Sequence, residues 1–149
     1  MNDIAVSVRR LAHAADLPLP SYATIGAAGL DLAAAITEPL DIAPGGRALV
    51  PTGLQVALPS GFELQIRPRS GLALRHGIML ANSPGTIDED YRGEIRVILL
   101  NAGDTPFTLT RGMRIAQAVL APVVRILWRE VADLPDTERS AGGFGSTGL

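Results

Sequence analysis

An all-β fold is predicted for this 149-residue chain by two observations. Apolar residues recur with a period of two along most of the sequence, and turn-forming clusters interrupt them at intervals of roughly 8–12 residues. Successive side chains on a strand point to opposite faces, so this alternation sends one set into a core and leaves the other toward water. Many short strands so spaced form a sandwich or a barrel.

Ile4, Val6 and Val8 alternate with Ala5, Ser7 and Arg9 and predict a first strand. Phe62, Leu64 and Ile66 alternate with Glu63, Gln65 and Arg67; Ile95, Val97 and Leu99 share one face, as do Phe107 and Leu109. The turns fall at Pro44-Gly45-Gly46, Pro59-Ser60-Gly61, Asn101-Ala102-Gly103-Asp104 and Arg111-Gly112. One segment departs from the rhythm. From Ser70, a residue type that caps helix N-termini, it runs through Leu72, Ala73, Leu74 and Arg75 to His76 and Gly77. Good helix formers between a cap and a glycine predict a helix of about two turns near residues 70–76.

Composition bounds the function. With 47% hydrophobic and 19% charged residues, one domain can bury a sizeable core. A net charge of −2 disfavours nucleic acid as a partner, because general phosphate binding needs a basic excess. It leaves room for one small anion held by a few arginines. The chain has no cysteine, which removes disulfide and thiolate chemistry and suits a reducing cytoplasm. No stretch approaches 18 apolar residues and Met1 to Arg10 hold no hydrophobic signal core, so the expectation is a soluble protein without a membrane partner.

Four places could carry chemistry. Arg67-Pro68-Arg69 precedes the helix, and free N–H groups beside two guanidinium groups form an anion site. The segment from Asn82 to Gly93 holds Asp88, Glu89 and Asp90 beside Tyr91; a carboxylate in such a loop is either solvated or able to activate water near a polyphosphate. Strict alternation puts Gln117 on the face of Met113, Ile115 and Val119, where an amide must bond to the fold or to a ligand because an unpartnered one costs about 1–3 kcal/mol. Asp31 lies between Leu30 and Leu32 and poses the same question. His13 and His76 stand too far apart to pair, and Trp128 is expected in the core. The end, from Ser140 to Leu149, has four glycines and one large apolar residue, Phe144, and is too flexible to hold a shape unaided.

Five separated segments together resemble the five ordered motifs of the trimeric dUTPase family. They are Ala28-Gly29-Leu30-Asp31-Leu32, Pro68-Arg69-Ser70-Gly71-Leu72, Asn82 to Gly93, Arg111-Gly112-Met113-Arg114-Ile115-Ala116-Gln117, and Arg139 to Gly148. Singly each is weak; in this order and spacing they are specific. The resemblance implies a single-domain β-barrel of jelly-roll type over residues 1–138, followed by a flexible C-terminal lid at 139–149. It implies hydrolysis of dUTP to dUMP and pyrophosphate with Mg²⁺, which limits uracil in DNA and supplies dUMP. It also implies a homotrimer whose subunits share each active site.

The roles carried over fall on named residues. Arg69, Ser70 and Gly71 would hold the triphosphate and Gln117 the phosphate region. Asp88 would activate the attacking water. Asn82 and neighbouring backbone groups would read the uracil edge, with Thr86 and Ile87 in the same substrate pocket. Tyr91 would pack on the deoxyribose and exclude a 2′-hydroxyl. Asp31 would support hydrated Mg²⁺ through water. Phe144 would stack on uracil, with Gly145 beside it, while Arg139, Ser146 and Thr147 hold the γ-phosphate. One departure is visible: the family's tail opens Arg-Gly, whereas Ser140 follows Arg139 here. The rival readings are a dCTP deaminase of the same fold, which carries Pro-Arg-Ser-Ser and lacks a Gly-Phe-Gly lid, and a catalytically silent nucleotide-binding module.

Overall fold

The computed structural model describes residues 3–143, so Phe144, Gly145, Ser146 and Thr147 lie outside the described residues. In chain order the strands are β1 (Ser7–Arg10), β2 (Leu30–Ala33), β3 (Leu40–Ile42), β4 (Arg47–Pro51), β5 (Leu54–Ala57) and β6 (Phe62–Arg67). After helix α1 (Ser70–His76) come β7 (Ile78–Leu80), β8 (Gly85–Ile87), β9 (Arg96–Asn101), β10 (Phe107–Leu109) and β11 (Arg114–Pro122). A 3₁₀ turn, Ala12–Ala14, follows β1. The strand pairs are antiparallel and build four small sheets: β1-β5, β3-β10, β2-β11-β6-β8 and β4-β9-β7. The fold is all-β, as the alternation predicts.

The alternating residues meet in one core. Leu64 and Ile66 from β6, Ile95, Val97 and Leu99 in and before β9, and Phe107 and Leu109 from β10 pack with Leu32, Val50, Ile78 and Leu80. Each fully buried aliphatic side chain contributes about 1.5–3 kcal/mol relative to exposure. Two polar side chains are buried among them, Thr52 and Asn101. Asn101 donates to the Ile42 and Thr105 carbonyls, both at 2.8 Å, and accepts from the Gly103 N–H at 2.9 Å, which fixes the turn after β9.

Four expectations need correction. Residues Ile4 to Val8 do not supply a core strand: β1 begins at Ser7 and is exposed throughout, and of the three apolar residues Val6 alone packs on the core. Ser70 is the first residue of α1 rather than its cap; the extended Arg69 (φ −98°, ψ 125°) takes that position without a side-chain cap bond. The C-terminal glycine is as predicted, with Gly77 left-handed at φ 66°. Gln117 does not share the face of Ile115. The register of β11 against β2 shifts between Arg114 and Ala116, leaving Ile115 as an extra residue, and such a bulge flips every side chain beyond it. Trp128 is 86% exposed, not core.

That last correction is part of a larger feature. The strands end at Pro122, and residues 123–138 run on without helix or strand. They expose Val124 (91%), Leu127 (96%) and Leu134 (82%) as well as Trp128. These exposed apolar side chains all lie on one segment beyond the last strand.

Candidate active site

Three neighbouring strands bring the charged and amide groups into one row. Gln117 on β11 is paired on one side with Asp31 of β2 and on the other with Arg67 of β6. Because of the bulge, all three project away from the core side chains Leu32, Ala116 and Ile66. Gln117 Nε2 donates to the Pro68 carbonyl at 3.0 Å. Gly29 leaves space for it, since a Cβ there would overlap Gln117 Oε1.

Asp31 is gripped by two guanidinium groups. Arg69 Nε lies 2.9 Å from Oδ1 and Arg114 Nη1 3.0 Å from Oδ2, while Arg69 Nη1 donates to the Arg114 carbonyl at 3.0 Å. The carboxylate fixes the fork of Arg69 at the start of α1, beside the exposed Ser70 and the half-buried Gly71. A rigid cation next to backbone N–H groups is a receptor for a phosphate chain. Among the described residues no three acidic or histidine side chains form a metal site. Asp31 is 26% exposed and takes one arginine on each oxygen, so it retains lone pairs for a hydrated cation carried by phosphates and water. Mg²⁺ fits that donor set.

The second group of predicted residues lies elsewhere on the chain. Asn82 is in the turn before β8, Thr86 and Ile87 are on β8, and Asp88 and Tyr91 are on the loop after it. On β6, Gly85 faces Ile66 and Ile87 faces Leu64. Continuing from Ile87, Asp88 moves toward the Phe62 end, whereas Arg69 and Ser70 leave from the opposite end. Four strand residues separate the two levels, about 13 Å at 3.3 Å per residue. Asp88 accordingly borders a depression with Ser60, Gly61, Glu63 and Arg125, and none of Arg69, Ser70 or Gln117 lines it. On one chain Asp88 and Arg69 therefore stand toward opposite ends of β6.

The loop itself is well tied. The Gly61 N–H donates to Glu89 Oε2 at 2.7 Å and Arg92 Nη1 to the Glu89 carbonyl at 2.6 Å. The Tyr91 hydroxyl donates to the Glu94 carbonyl at 3.0 Å. Glu94, Arg114 and Arg111 make ion pairs that no local sequence pattern marks. Arg111 pairs with Asp16, which holds the Asp16 carboxyl below its ordinary range and raises the arginine. Burial pushes the Glu94 carboxyl up, but donations from Gly53, His13 and Arg96 outweigh it and leave its pKa below the usual glutamate value. At the far end Arg139 Nε donates to the Gly142 carbonyl at 2.9 Å in a turn where Ser140 has φ 45°.

A family model described as dUTPase matches residues 15–148. A curated deoxyuridine 5′-triphosphate nucleotidohydrolase of Rhizobium rhizogenes is 60% identical over 142 residues, covering 94% of this chain and 91% of the relative. This chain belongs to the dUTPase family. Solved structures of dUTPases share its fold at lower identity. That of a mutant dUTPase of Staphylococcus bacteriophage 80alpha with dUpNHpp gives a TM-score of 0.86 at 21% identity over 97% of this chain and 99% of that one. A mutant dUTPase from phage phi11 of S. aureus, described with a structural Mg(II) ion, gives 0.78 at 19% identity over 89% and 100%. Among the described residues of this dUTPase no helix is long and apolar enough to cross a membrane.

Proposed function

We propose that this chain hydrolyses dUTP to dUMP and pyrophosphate, removing a source of uracil in DNA and supplying dUMP, in a cytoplasmic setting. The observation that carries the reading is its 60% identity to a deoxyuridine 5′-triphosphate nucleotidohydrolase over 94% of the chain. The clamped Arg69 beside Ser70 and Gly71 supports it as a ready receptor for a triphosphate.

Arg69 and the backbone at Ser70 and Gly71 hold the phosphate chain, and Gln117 adds an amide at the same edge. Asp88 accepts a proton from a water that attacks the α-phosphorus in line, the bond to the bridging oxygen breaks, and pyrophosphate leaves with that oxygen. Asn82, Thr86 and Ile87 face the base, and Tyr91 packs on the deoxyribose where a 2′-hydroxyl would collide. Asp31 would accept hydrogen bonds from the water shell of a Mg²⁺ ion, which when bound would supply charge neutralisation on the phosphates. Residues 139–149 form the lid, Arg139, Ser146 and Thr147 toward the γ-phosphate and Phe144, with Gly145, over uracil.

A homotrimer with shared sites is part of the proposal. The separation of Asp88 from Arg69 on one chain and the exposed apolar arm at 123–138 both support it: a neighbour can provide the missing half of the site and cover the arm. A dCTP deaminase and a silent binding module find no support in the family match. The test is pyrophosphate release from dUTP, UTP, dTTP and dCTP with and without Mg²⁺, with the sedimentation mass measured alongside. Release from dUTP alone, dependent on Mg²⁺, by a species of three chains is expected. Ammonia from dCTP would establish the deaminase, and nucleotide binding without turnover the silent module.

A further inference from the structure

Behind the Tyr91 loop sits a carboxylate that has no part in the chemistry above. The Glu94 side chain is 10% exposed. Its Oε1 accepts from the Gly53 backbone N–H at 2.8 Å and lies 2.9 Å from His13 Nε2, and Arg96 Nε is 3.2 Å from Oε2. A carboxylate can only accept, so the histidine nitrogen is the donor. None of these partners belongs to the loop: His13 is on the 3₁₀ turn, Gly53 joins β4 to β5, and Arg96 opens β9. The turn bearing His13 is itself anchored, since Leu11 N–H donates to the Gly53 carbonyl at 2.8 Å and Arg111 Nη2 to the His13 carbonyl at 2.7 Å.

Glu94 therefore fixes the point at which the loop re-enters the barrel. Its own backbone carbonyl accepts the Tyr91 hydroxyl. Gly93 lies beneath the same ring: a Cβ there would overlap the Tyr91 hydroxyl and ring carbons. The ring is folded onto its own loop, and its position follows wherever residues 93 and 94 are held. Its other side is free, as Tyr91 is 43% exposed.

We propose that Glu94, held by His13, Gly53 and Arg96, is a positioning residue for Tyr91, and that selection of a 2′-deoxy sugar over ribose depends on this contact behind the ring. The inference rests on the reading that Tyr91 packs on the deoxyribose. A steric filter works only if the excluding group does not yield, because admitting one extra hydroxyl requires a ring displacement of little more than an atom's radius. Tyr91 offers the surface; His13 and Glu94 keep it from moving.

The test compares kcat/KM for dUTP and UTP in the full-length protein carrying Glu94→Gln, His13→Ala, Tyr91→Phe, Tyr91→Ala, or Glu94→Gln with Tyr91→Phe, each checked for its melting temperature. Glu94→Gln and His13→Ala are each expected to lower the dUTP/UTP preference by about tenfold, the scale at which pocket sterics discriminate. The double variant is expected to be no worse than its more severe single parent, because both substitutions act through one contact. His13, 38% exposed, serves if Glu94→Gln does not fold. Unchanged preference in the folded variants, or a double effect equal to the product of the singles, overturns the inference while Tyr91→Ala still admits UTP. A Tyr91→Ala protein with the parental preference overturns the reading of Tyr91 and the inference together.

Discussion

The row of charged and amide groups around Asp31 and the loop that carries Asp88 and Tyr91 are built by different means. Asp31, Gln117 and Arg67 stand in register on three hydrogen-bonded strands, and Arg69 and Arg114 close on Asp31 from both sides. Asp88 and Tyr91 instead ride on an exposed loop whose shape comes from internal turns and from Glu94 behind it. A strand-borne receptor has its geometry set by the sheet and is sensitive to loss of charge. A loop-borne group has its chemistry free and is sensitive to loss of an anchor. Substitutions on the two sides should fail in different ways.

The largest effect is expected where the loop delivers chemistry. Asp88→Asn keeps the shape of an exposed side chain and removes the proton acceptor. Under the proposed mechanism kcat for dUTP falls by about 10²–10⁴-fold, the usual worth of a general base, with near-parental binding of a non-hydrolysable analogue. Parental turnover would remove Asp88 from the mechanism.

On the strand-borne side, Asp31→Asn takes the negative charge from between two arginines and presents an N–H₂ to one of them. Arg69 then loses its orienting partner, and KM for dUTP should rise about tenfold, near 1.4 kcal/mol of binding, with a smaller change in kcat. A lower KM would show the opposite: that Asp31 restrains the two cations from the phosphates, and that the receptor is not organised by its ion pairs.

These contrasts track what was legible in the sequence. The β6, β9 and β10 strands follow from alternation because their apolar faces are buried in register, and α1 follows from its glycine stop. The face of Gln117 does not follow from strict alternation, because a bulge at Ile115 adds one residue to the strand without any local mark. Composition alone puts Trp128 in the core because apolar area usually is buried, but its segment runs on beyond the last strand, which ends at Pro122. Asp31, Arg69 and Gln117 could be singled out by type and position. Glu94 could not, since its donors Gly53 and His13 lie 41 and 81 residues away and nothing beside it distinguishes it from an ordinary surface glutamate.

The anchor behind the loop also makes a pH signature. Glu94 has its carboxyl held below the ordinary value of 4.5, so in the folded state it binds its proton less readily than in the unfolded state. Its contribution to stability is present above about pH 4.5 and disappears as pH falls through the lowered folded value. Thermal melts should therefore separate the parent from Glu94→Gln most at neutral pH, with the gap closing in acid. Asp16 is lowered as well, but it is present in both proteins and cancels from the difference. A gap that stays constant to pH 3 would mean that the carboxylate is not stabilised by its donors.

The smallest expected effect lies at the entrance to the tail, where Ser140 replaces the family's glycine. Its φ of 45° is left-handed, a region that costs a non-glycine residue roughly 1–2 kcal/mol. The turn is nonetheless closed, by the Ser140 N–H on the Thr137 carbonyl at 3.0 Å and by Arg139 on Gly142. Ser140→Gly would relieve the strain, but it would also release about 0.4–1 kcal/mol of unfolded-chain entropy that ordering must then overcome. The second term offsets about half of the first, and kcat/KM for dUTP should rise by no more than about fivefold. Ser140→Val gains nothing from the second term and adds a β-branched side chain, which tolerates positive φ worst. If residues 139–149 close over the substrate from this turn, the valine variant should fall below both serine and glycine in kcat/KM. Equal activity for glycine and valine at position 140 would show that the turn between Thr137 and Gly142 does not aim the lid.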